Sequence, residues 1–322
     1  MPPSINYNSK RELKSLLEER GLGMRKKFGQ NFLINPAARN ALLDALELPP
    51  GALVWEIGPG LGAMTAGLLE RGGRVTAFEI DAAFAGILRE IFAREIFAAV
   101  QEEFFTTEYT EKHGEKNDFR TSFRLVDGDV LKTWPTVEAG DELYLLGNLP
   151  YNIAAAVLAD FIEKGRFFKR IVVTVQEEVA RRMAASPPSK DYSSFSVLCS
   201  SAYKVTMLNK IGSASFYPSP RVDSRGVRLD LLPCAKKRSV FFHPLVRSLF
   251  SSRRKALRNT LSVYASQVII ERGLSASFSG KEAAAEALRK AGISGERRPE
   301  TLGVDEFAFL ALCLEDLVNN GA

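Results

Sequence analysis

Four consecutive residues, Asn148-Leu149-Pro150-Tyr151, follow an apolar run that is typical of a buried strand. The exocyclic amine of adenine is a poor nucleophile because its lone pair is delocalised into the ring, so its attack requires acceptors for its N–H hydrogens. The side-chain oxygen of Asn148 and a backbone carbonyl beside Pro150 supply such acceptors, and Pro150 restrains the backbone there. Tyr151 offers a ring on which a flipped-out base can stack. These residues predict a site that reacts with an adenine amino group.

A second aromatic residue that suits a stacked base is Phe216, in the segment SFYPSPRVDS at 215–224. Pro218 and Pro220 stiffen this segment. We predict that Phe216 faces the target base from the side opposite Tyr151, with a purely structural loop as the alternative.

Three glycines in the segment EIGPGLG at 56–62 predict a ligand-binding turn. Gly58, Gly60 and Gly62 follow a strand-like run, and glycine allows a sharp turn and a close approach of the backbone to a ligand. Glu79 ends the next strand-like run, about 20 residues further on, where a carboxylate can accept both hydroxyls of a ribose. The pair predicts a nucleotide-type cofactor.

The spacing of the glycines narrows the choice of cofactor. The GxGxG pattern lacks the third glycine of GxGxxG, which packs a helix beneath a pyrophosphate, so we predict a cofactor without a diphosphate, such as S-adenosylmethionine. Asp129 follows the third strand-like run and is placed to bind the adenine amino group of that cofactor, with helix capping as the alternative. Three cysteines without CxxC spacing and two histidines predict no metal site.

These residues lie at the ends of apolar runs that alternate with helical patterns. The predicted strands cover 53–58, 74–81, 123–130, 142–151 and 169–175. This alternation predicts an α/β fold with a mostly parallel sheet covered on both faces, whose carboxyl edge gathers the candidate residues. Two further strand-like runs, 196–208 and 224–232, predict an antiparallel hairpin at one edge. Helical spacing from about Pro244 onward predicts a small C-terminal α-helical domain.

Composition and charge exclude several classes of protein. The 322 residues are 46% hydrophobic and 25% charged, which is typical of a globular protein of roughly two domains and excludes a disordered or coiled-coil chain. Eight basic residues and no acidic one lie between 236 and 258, which predicts a polyanionic partner, with a solvated surface as the alternative. No run approaches the ~18 apolar residues of a membrane span, and no signal peptide is evident, so we predict a cytoplasmic protein without a membrane partner.

One segment does not fit the alternating pattern. The pentapeptide REIFA occurs twice in succession at 89–98 and runs into an acidic stretch. We interpret 92–120 as an insertion between the second and third strands, made of a lengthened helix and a mobile loop, and assign it no chemistry.

Five segments stand in order along the chain: KKFGQNFL (26–33), EIGPGLG (56–62), GNLPYNI (147–153), SFYPSPRVDS (215–224) and SSRRKALRNTL (251–261). Together they resemble the bacterial small-subunit (16S) rRNA adenine N6,N6-dimethyltransferase family, from about Arg25 to the C-terminus. The NLPY segment is shared with other adenine N6-methyltransferases, whereas FGQNFL combined with FxPxPxVDS is much narrower. The resemblance implies a Rossmann-like, class I S-adenosylmethionine-dependent methyltransferase domain.

The resemblance also implies roles for individual residues. Asn31 and Leu33 border the methionine part of the cofactor, and Asn148 stands between the cofactor and the target amine. The residues implied for cofactor binding are Gln30, Asn31, Leu33, Gly58, Gly60, Glu79, Asp129 and Asn148. Those implied for the target base are Asn148, Pro150, Tyr151 and Phe216, and those predicted to hold rRNA phosphates are Arg253, Arg254, Lys255 and Arg258. On a predicted helix, Arg254 and Arg258 share a face.

The implied activity is the transfer of four methyl groups from S-adenosylmethionine, two to each of two adjacent adenosines in the 3′-terminal hairpin loop of 16S rRNA. The enzyme is expected to act as a monomer on the assembling small ribosomal subunit. The predicted domains are an N-terminal extension (1–24), a methyltransferase domain (25–240) and a helical RNA-binding domain (241–322).

Two alternatives remain open on the sequence. The first is a 23S rRNA adenine methyltransferase of the macrolide-resistance type, which shares the NLPY segment but is disfavoured by FGQNFL and the C-terminal domain. The second is a non-catalytic RNA-binding assembly factor with the same fold. The presence of Asn148, Tyr151, Glu79 and Asp129 weighs against that second alternative.

Overall fold

The computed structural model describes residues 5–23, 30–96, 122–140, 142–150, 153–233, 235, 238–272 and 279–320. The chain forms two compact units. The first comprises Met1–Asp160, Phe167–Ala180 and Thr206–Asp230, and the second comprises Phe161–Arg166, Arg181–Val205 and Leu231–Ala322. The loop that we predict within 92–120 lies outside the described residues.

Strands and helices alternate through most of the first unit. The described strands are β1 (Phe32–Leu33), β2 (Leu53–Ile57), β3 (Arg74–Glu79), β4 (Phe123–Asp127), β5 (Leu143–Asn148), β6 (Arg170–Gln176), β7 (Tyr203–Ile211), β8 (Phe216–Tyr217) and β9 (Ser224–Leu231). The described α-helices are α1 (Lys10–Glu19), α2 (Pro36–Leu46), α3 (Ala63–Glu70), α4 (Ala82–Ile91), α5 (Val130–Thr133), α6 (Ala154–Glu163), α7 (Glu177–Ala184), α8 (Ser194–Ala202), α9 (Phe242–Phe250), α10 (Leu257–Glu271), α11 (Gly280–Ala291) and α12 (Val304–Asn320). Within these ranges, no helix has the length and apolar character that crossing a membrane requires.

Seven of the described strands form one sheet, in the order β4-β3-β2-β5-β6-β9-β7. The first five strands in this order pair in parallel, and β9 runs antiparallel to β6. The register pairs Ile57 with Gly147 and Glu79 with Asp127, so the carboxyl ends of β2 to β5 meet at one edge. This mostly parallel sheet with an antiparallel edge confirms the predicted fold class.

The central strands are apolar on both faces. Val54, Leu145 and Val172, on three neighbouring strands, are fully buried. Continuous apolar runs of this kind are typical of a parallel sheet that helices cover on both sides. The runs that predicted the strands are therefore the core of the first unit.

Residues 196–208, which we predict as one strand, form two elements instead. The helix α8 covers Ser194–Ala202, and β7 begins only at Tyr203. Ser193 caps the start of the helix, and its backbone N–H donates to the Oγ of Ser196 at 3.0 Å, as in a capping box. Because most of α8 is buried, its sequence lacks the polar face that distinguishes a helix from a buried strand.

Helices α9 to α12 pack around a separate apolar core in the second unit. Leu245, Leu261, Leu288 and Leu310 are among its buried residues. These helices confirm the C-terminal helical part of the predicted fold class. The apolar spacing of the sequence predicted them because each buries one face against its neighbours.

Gly280, at the start of α11, lies against α10 so closely that a methyl group does not fit. A Cβ atom there would stand 2.0 Å from the Ser266 Oγ and 2.5 Å from the Ser266 backbone nitrogen. We expect Gly280→Ala to lower the free energy of unfolding by roughly 1–3 kcal/mol through overpacking. Urea unfolding measures this loss, with Gly212→Ala as control because nothing lies within 4 Å of a Cβ at Gly212. Equal stabilities of the two variants would contradict the tight packing.

Candidate active site

The turn between β2 and α3 is built from glycines in the left-handed region. Gly58, Gly60 and Gly62 have φ angles of 68°, 58° and 88°. Residues with a Cβ atom rarely adopt these φ angles. Only glycine therefore forms this turn without strain. The turn lies at the carboxyl edge of the sheet, where open α/β folds bind ligands.

At two of these glycines, neighbouring aromatic rings leave no room for a Cβ atom. A Cβ atom on Gly60 would lie 2.9 Å from the ring of Phe32, and one on Gly62 would lie 2.6 Å from the ring of Phe92. In GxGxxG sites the third glycine serves close packing of a helix against a strand. Here Gly62 makes its close contact with an aromatic ring just beyond the end of α4.

Glu79 ends β3 with its carboxylate held in place by the backbone. Its Oε2 accepts the N–H of Gly60 at 3.1 Å, and its Oε1 accepts the N–H of Asp81 at 2.8 Å. The residue is only 5% exposed. Burial raises the pKa of Glu79 to about 7, although the bonds from Asp81 and Gly60 favour the charged form. A carboxylate fixed in this way retains lone pairs for the hydroxyls of a ligand.

Asp129 both caps a helix and lines the same cavity as Glu79. Its Oδ1 accepts the N–H of Leu131 at 3.1 Å and so begins the short helix α5. This is the capping role that the sequence left as the alternative to adenine binding. Oδ1 is the oxygen that holds the helix, and the residue lines the cavity, so Oδ2 can accept a hydrogen bond from a cofactor.

Asn148 ends β5 with its amide group oriented by one backbone carbonyl. Its Nδ2 donates a hydrogen bond to the carbonyl oxygen of Asn31 at 2.7 Å. A carbonyl partner requires the NH₂ end of the amide, so the side-chain oxygen of Asn148 points away from Asn31. That oxygen is the acceptor that the predicted chemistry needs.

The carbonyl of Pro150 is committed to the helix that follows. It accepts the N–H groups of Ile153 and Ala154 at 3.0 and 3.1 Å. The neighbouring carbonyl of Leu149 therefore becomes the candidate for the second acceptor of the target amine. Tyr151 lies outside the described residues, so its predicted stacking role stays a prediction.

Phe216 does not face the cavity. It lies in the strand β8, opposite Leu33 of β1, and its side chain is 3% exposed within the apolar core. In this arrangement the ring packs against apolar neighbours. The pairing of β1 with β8 accounts for this burial. Because Tyr151 lies outside the described residues, the predicted position of Phe216 opposite Tyr151 stays a prediction.

One cavity brings most of the predicted site residues together. Its volume is about 960 Å³, which includes solvent space at its open mouth. The predicted site residues that line it are Gln30, Asn31, Leu33, Gly58, Gly60, Glu79, Asp129, Asn148 and Pro150. Within the part of the chain that the structure describes, no Lys or Arg lines this cavity, whereas two carboxylates do. A diphosphate would meet no cation here, but a cationic cofactor with a ribose suits these groups.

Comparison with known proteins agrees with this chemistry. The sequence profile of a family described as "Ribosomal RNA adenine dimethylase" matches residues 21–289. The chain belongs to this family. It is 39% identical over 317 residues to a protein of Treponema denticola named "Ribosomal RNA small subunit methyltransferase A", a match that covers 96% of this chain and 95% of that protein. It is therefore an rRNA adenine dimethyltransferase that depends on S-adenosylmethionine, as the sequence predicted.

Two solved structures show the same fold. A dimethyladenosine transferase from Plasmodium falciparum matches with a TM-score of 0.68 at 23% identity, covering 89% of this chain and 97% of that chain. The 23S rRNA methyltransferase ErmE matches with a TM-score of 0.56 at 20% identity, covering 88% of this chain and 99% of that chain. The predicted class I methyltransferase fold is thus confirmed for the dimethylase.

The helix α1 and the residues just before it supply a wall of the dimethylase cavity that the sequence did not predict. Tyr7 and Leu13 line the cavity, and Leu13 belongs to an apolar cluster with Leu61 and Phe84. Arg20 at the end of this helix forms a bidentate pair with a glutamate of α4, at 3.0 and 2.7 Å. The signal was present in the helical spacing of the leucines of α1 behind a serine cap.

Glu56, beneath the glycine turn, is a buried carboxyl group that the predicted chemistry does not use. It is 2% exposed and accepts a 2.6 Å hydrogen bond from the hydroxyl of Thr65. Burial, with a smaller contribution from the charge of Glu79, raises its pKa from 4.5 to about 8. The folded dimethylase therefore holds a proton at Glu56 more tightly than the unfolded chain does.

This raised pKa predicts a pH dependence of stability. Protonated Glu56 favours the folded state. This contribution to the free energy of unfolding is fully present below the unfolded pKa of 4.5 and is lost as the pH rises through about 8. We therefore expect Glu56→Gln, which stays neutral, to gain stability relative to the wild type between pH 5 and pH 8.5. Tm values of the cofactor-free proteins across this range measure the effect, and Glu178→Gln, at an exposed site, is the control. A constant difference in Tm between Glu56→Gln and the wild type would contradict the assignment.

The basic run of the second unit is a turn rather than part of a helix. The helix α10 begins at Leu257, behind Ala256 in an extended conformation, so Arg254 and Arg258 do not share a helical face. The backbone N–H groups of Leu257 and Arg258 donate to the carbonyls of Arg297 and Gly295, at 2.8 and 3.0 Å. These bonds to a distant loop hold the start of α10 at Leu257. The local sequence alone would extend the helix back through the basic run.

The four basic residues of this turn differ in their partners. Arg253 pairs with Glu300 at 3.2 Å, and Arg258 pairs with Glu296. Arg254 and Lys255 are exposed and form no ion pair with any residue that the structure describes. Of the four predicted phosphate contacts, Arg254 and Lys255 are therefore the most available.

Proposed function

We propose that this dimethylase transfers methyl groups from S-adenosylmethionine to N6 of two adjacent adenosines in the 3′-terminal hairpin loop of 16S rRNA. The observation that carries the choice of rRNA is the match to the Treponema denticola small-subunit methyltransferase, which runs over 96% of this chain. The 23S rRNA methyltransferase ErmE has the same fold as this chain. At 20% sequence identity, that likeness supports the fold alone.

The residues of the cavity suit S-adenosylmethionine. The Glu79 carboxylate would accept the ribose hydroxyls, and Asp129 would accept the adenine amino group. Gly58, where the nearest heavy atom to a Cβ would be 3.9 Å away, leaves the backbone open to the methionine part. When bound there, S-adenosylmethionine supplies a methyl group on a positively charged sulfur. Asn31 and Leu33 line the same cavity and would border the methionine part.

Asn148 and the carbonyl of Leu149 would hold the N–H hydrogens of the target adenine. These acceptors favour a tetrahedral nitrogen, whose lone pair is no longer delocalised into the ring and can attack the methyl carbon in line. Tyr151 would stack on the extruded base. Positioning and hydrogen bonding account for the rate, and no side chain need act as a general base.

We propose further that the second unit holds rRNA through its basic turn. The exposed side chains of Arg254 and Lys255 suit phosphate oxygens. Residues 241–322 would act as the RNA-binding domain and 25–240 as the methyltransferase domain. The protein would work as a monomer on the assembling small subunit in the cytoplasm.

The salt dependence of binding tests this surface. If Lys255 contacts a phosphate, Lys255→Ala should lower the slope of log affinity against log salt concentration by about 0.7–1. Filter binding to small subunits at several salt concentrations measures the slope, and Lys281→Ala, at an exposed position of α11, is the control. An unchanged slope for Lys255→Ala would return this turn to an ordinary solvated surface.

Primer extension across the 3′-terminal hairpin of 16S rRNA tests the proposed function. Dimethylated adenines stop reverse transcription, so two adjacent stops should be present in cells with this gene and absent from cells without it. A plasmid copy should restore the stops. If deletion of the gene instead removes a stop in 23S rRNA, the large-subunit alternative is correct.

A further inference from the structure

Gln30 and Asn31 are consecutive residues that connect the two halves of the site. The Nε2 of Gln30 donates a hydrogen bond to the Oδ2 of Asp81 at 3.0 Å. The carbonyl of Asn31 accepts the Nδ2 of Asn148 at 2.7 Å. One short segment is therefore tied by a side chain to the end of β3 and by its backbone to the end of β5.

Asp81 is a fixed anchor for this segment. It is 3% exposed, and its Oδ1 accepts the N–H of Ala83 at 3.1 Å as the cap of α4. Its own backbone N–H donates to the Glu79 carboxylate at 2.8 Å. Because the cap and the backbone bond hold Asp81 in place, its Oδ2 defines where Gln30 lies.

Asn31 in turn defines which end of the Asn148 amide faces the cavity. An amide side chain rotates about two bonds, and its oxygen and nitrogen ends are nearly equal in size. The bond to the Asn31 carbonyl selects the orientation with the nitrogen toward Asn31 and the oxygen away from it. A displacement of the Asn31 carbonyl would therefore misdirect the acceptor oxygen.

We infer that Gln30 and Asp81 are positioning residues, whose hydrogen bond holds the Asn31 carbonyl where it orients the Asn148 amide for catalysis. Gln30 acts here through Asp81 and Asn148, in addition to any contact with the cofactor. The inference rests on the proposed role of Asn148. It links the strand end that carries the ribose-binding carboxylate to the strand end that carries the catalytic amide.

A double-mutant cycle tests this link. The rate is measured as methyl incorporation, at saturating S-adenosylmethionine, into small subunits purified from a strain that lacks this gene. We expect Gln30→Ala to lower kcat about 10- to 100-fold, since small displacements of reacting groups have effects of this size. In an Asn148→Ala background the same change should lower kcat less than about 2-fold, because its effect passes through Asn148.

Two control measurements separate positioning from loss of structure or of cofactor. Gln267→Ala removes a similar bond, from Gln267 Nε2 to Glu271 Oε1 at 2.8 Å on the exposed face of α10, and should leave kcat unchanged. The affinity of Gln30→Ala for S-adenosylmethionine, measured by calorimetry, should change less than its kcat does. An effect of Gln30→Ala on affinity alone, or an equal effect on kcat in both backgrounds, overturns the inference.

A reversal of the hydrogen bond provides a rescue. Gln30→Glu places two carboxylates together and should lower kcat as Gln30→Ala does. Adding Asp81→Asn restores a donor–acceptor pair, because the Asn oxygen can still cap α4 while its NH₂ group donates to the new glutamate. The double variant should recover most of the lost kcat, and failure to recover at a normal Tm contradicts the inference. Wild-type activity of Asn148→Ala would refute the role of Asn148 itself, an outcome distinct from additive effects of Gln30.

Discussion

Asn148→Ala is expected to lower the rate of methyl transfer about 100- to 1,000-fold, the usual effect of removing one well-placed polar group from an active site. The variant loses the acceptor for the target amine, whereas the glycine turn, Glu79 and the basic turn of the second unit are unchanged. The loss should therefore appear in kcat, while the affinity for small subunits stays close to that of the wild type.

Transfer of a tritiated methyl group to small subunits, measured beside filter binding of the same subunits, separates these quantities. Asn40→Ala, at an exposed position of α2, is a matched control that should keep the wild-type rate. Near-normal methylation by Asn148→Ala would refute the catalytic role. A parallel loss of rate and subunit binding would indicate a structural role instead.

Glu79→Ala is expected to weaken the binding of S-adenosylmethionine by about 1–3 kcal/mol, the value of hydrogen bonds to a charged acceptor. This corresponds to a change of roughly 5- to 150-fold in Kd. Glu79 also accepts the backbone N–H groups of Gly60 and Asp81, so its removal leaves two donors of the turn unpaired. Glu79→Gln retains one acceptor oxygen and should bind with intermediate affinity.

Calorimetric titration with S-adenosylmethionine measures these affinities, and Glu178→Ala, at an exposed site, is the control. Tm values of the cofactor-free proteins show whether the turn itself has changed. Wild-type affinity of Glu79→Ala would contradict the ribose assignment. Tighter binding of NAD than of S-adenosylmethionine would contradict the proposed use of the cavity.

The strands were predictable because each parallel strand is a short apolar run that ends at a polar or glycine residue. The same regularity predicted the cavity, since the carboxyl ends of neighbouring parallel strands meet at one edge and bring Gly58, Glu79, Asp129 and Asn148 together. The roles proposed for these residues rest on their chemistry once they are neighbours.

The elements that the sequence did not predict depend on contacts between distant segments. The end of the basic turn is determined by bonds from Leu257 and Arg258 to the loop at Gly295 and Arg297. Phe216 is turned inward by the pairing of β8 with a two-residue strand near the N-terminus. Local patterns of residues carry no information on such pairings, so the basic run was predicted as part of a helix and the burial of the Phe216 ring was not predicted.

The charge of the cavity has a consequence for the protonation of Glu79. Its described lining contains two carboxylates and no Lys or Arg, and burial raises the pKa of Glu79 to about 7. A ligand with a positive sulfur favours the ionised form of Glu79 and is attracted by it. Once the methyl group has left, the sulfur is neutral and this attraction is gone. S-adenosylmethionine should therefore favour the ionised form of Glu79 more strongly than its demethylated product does.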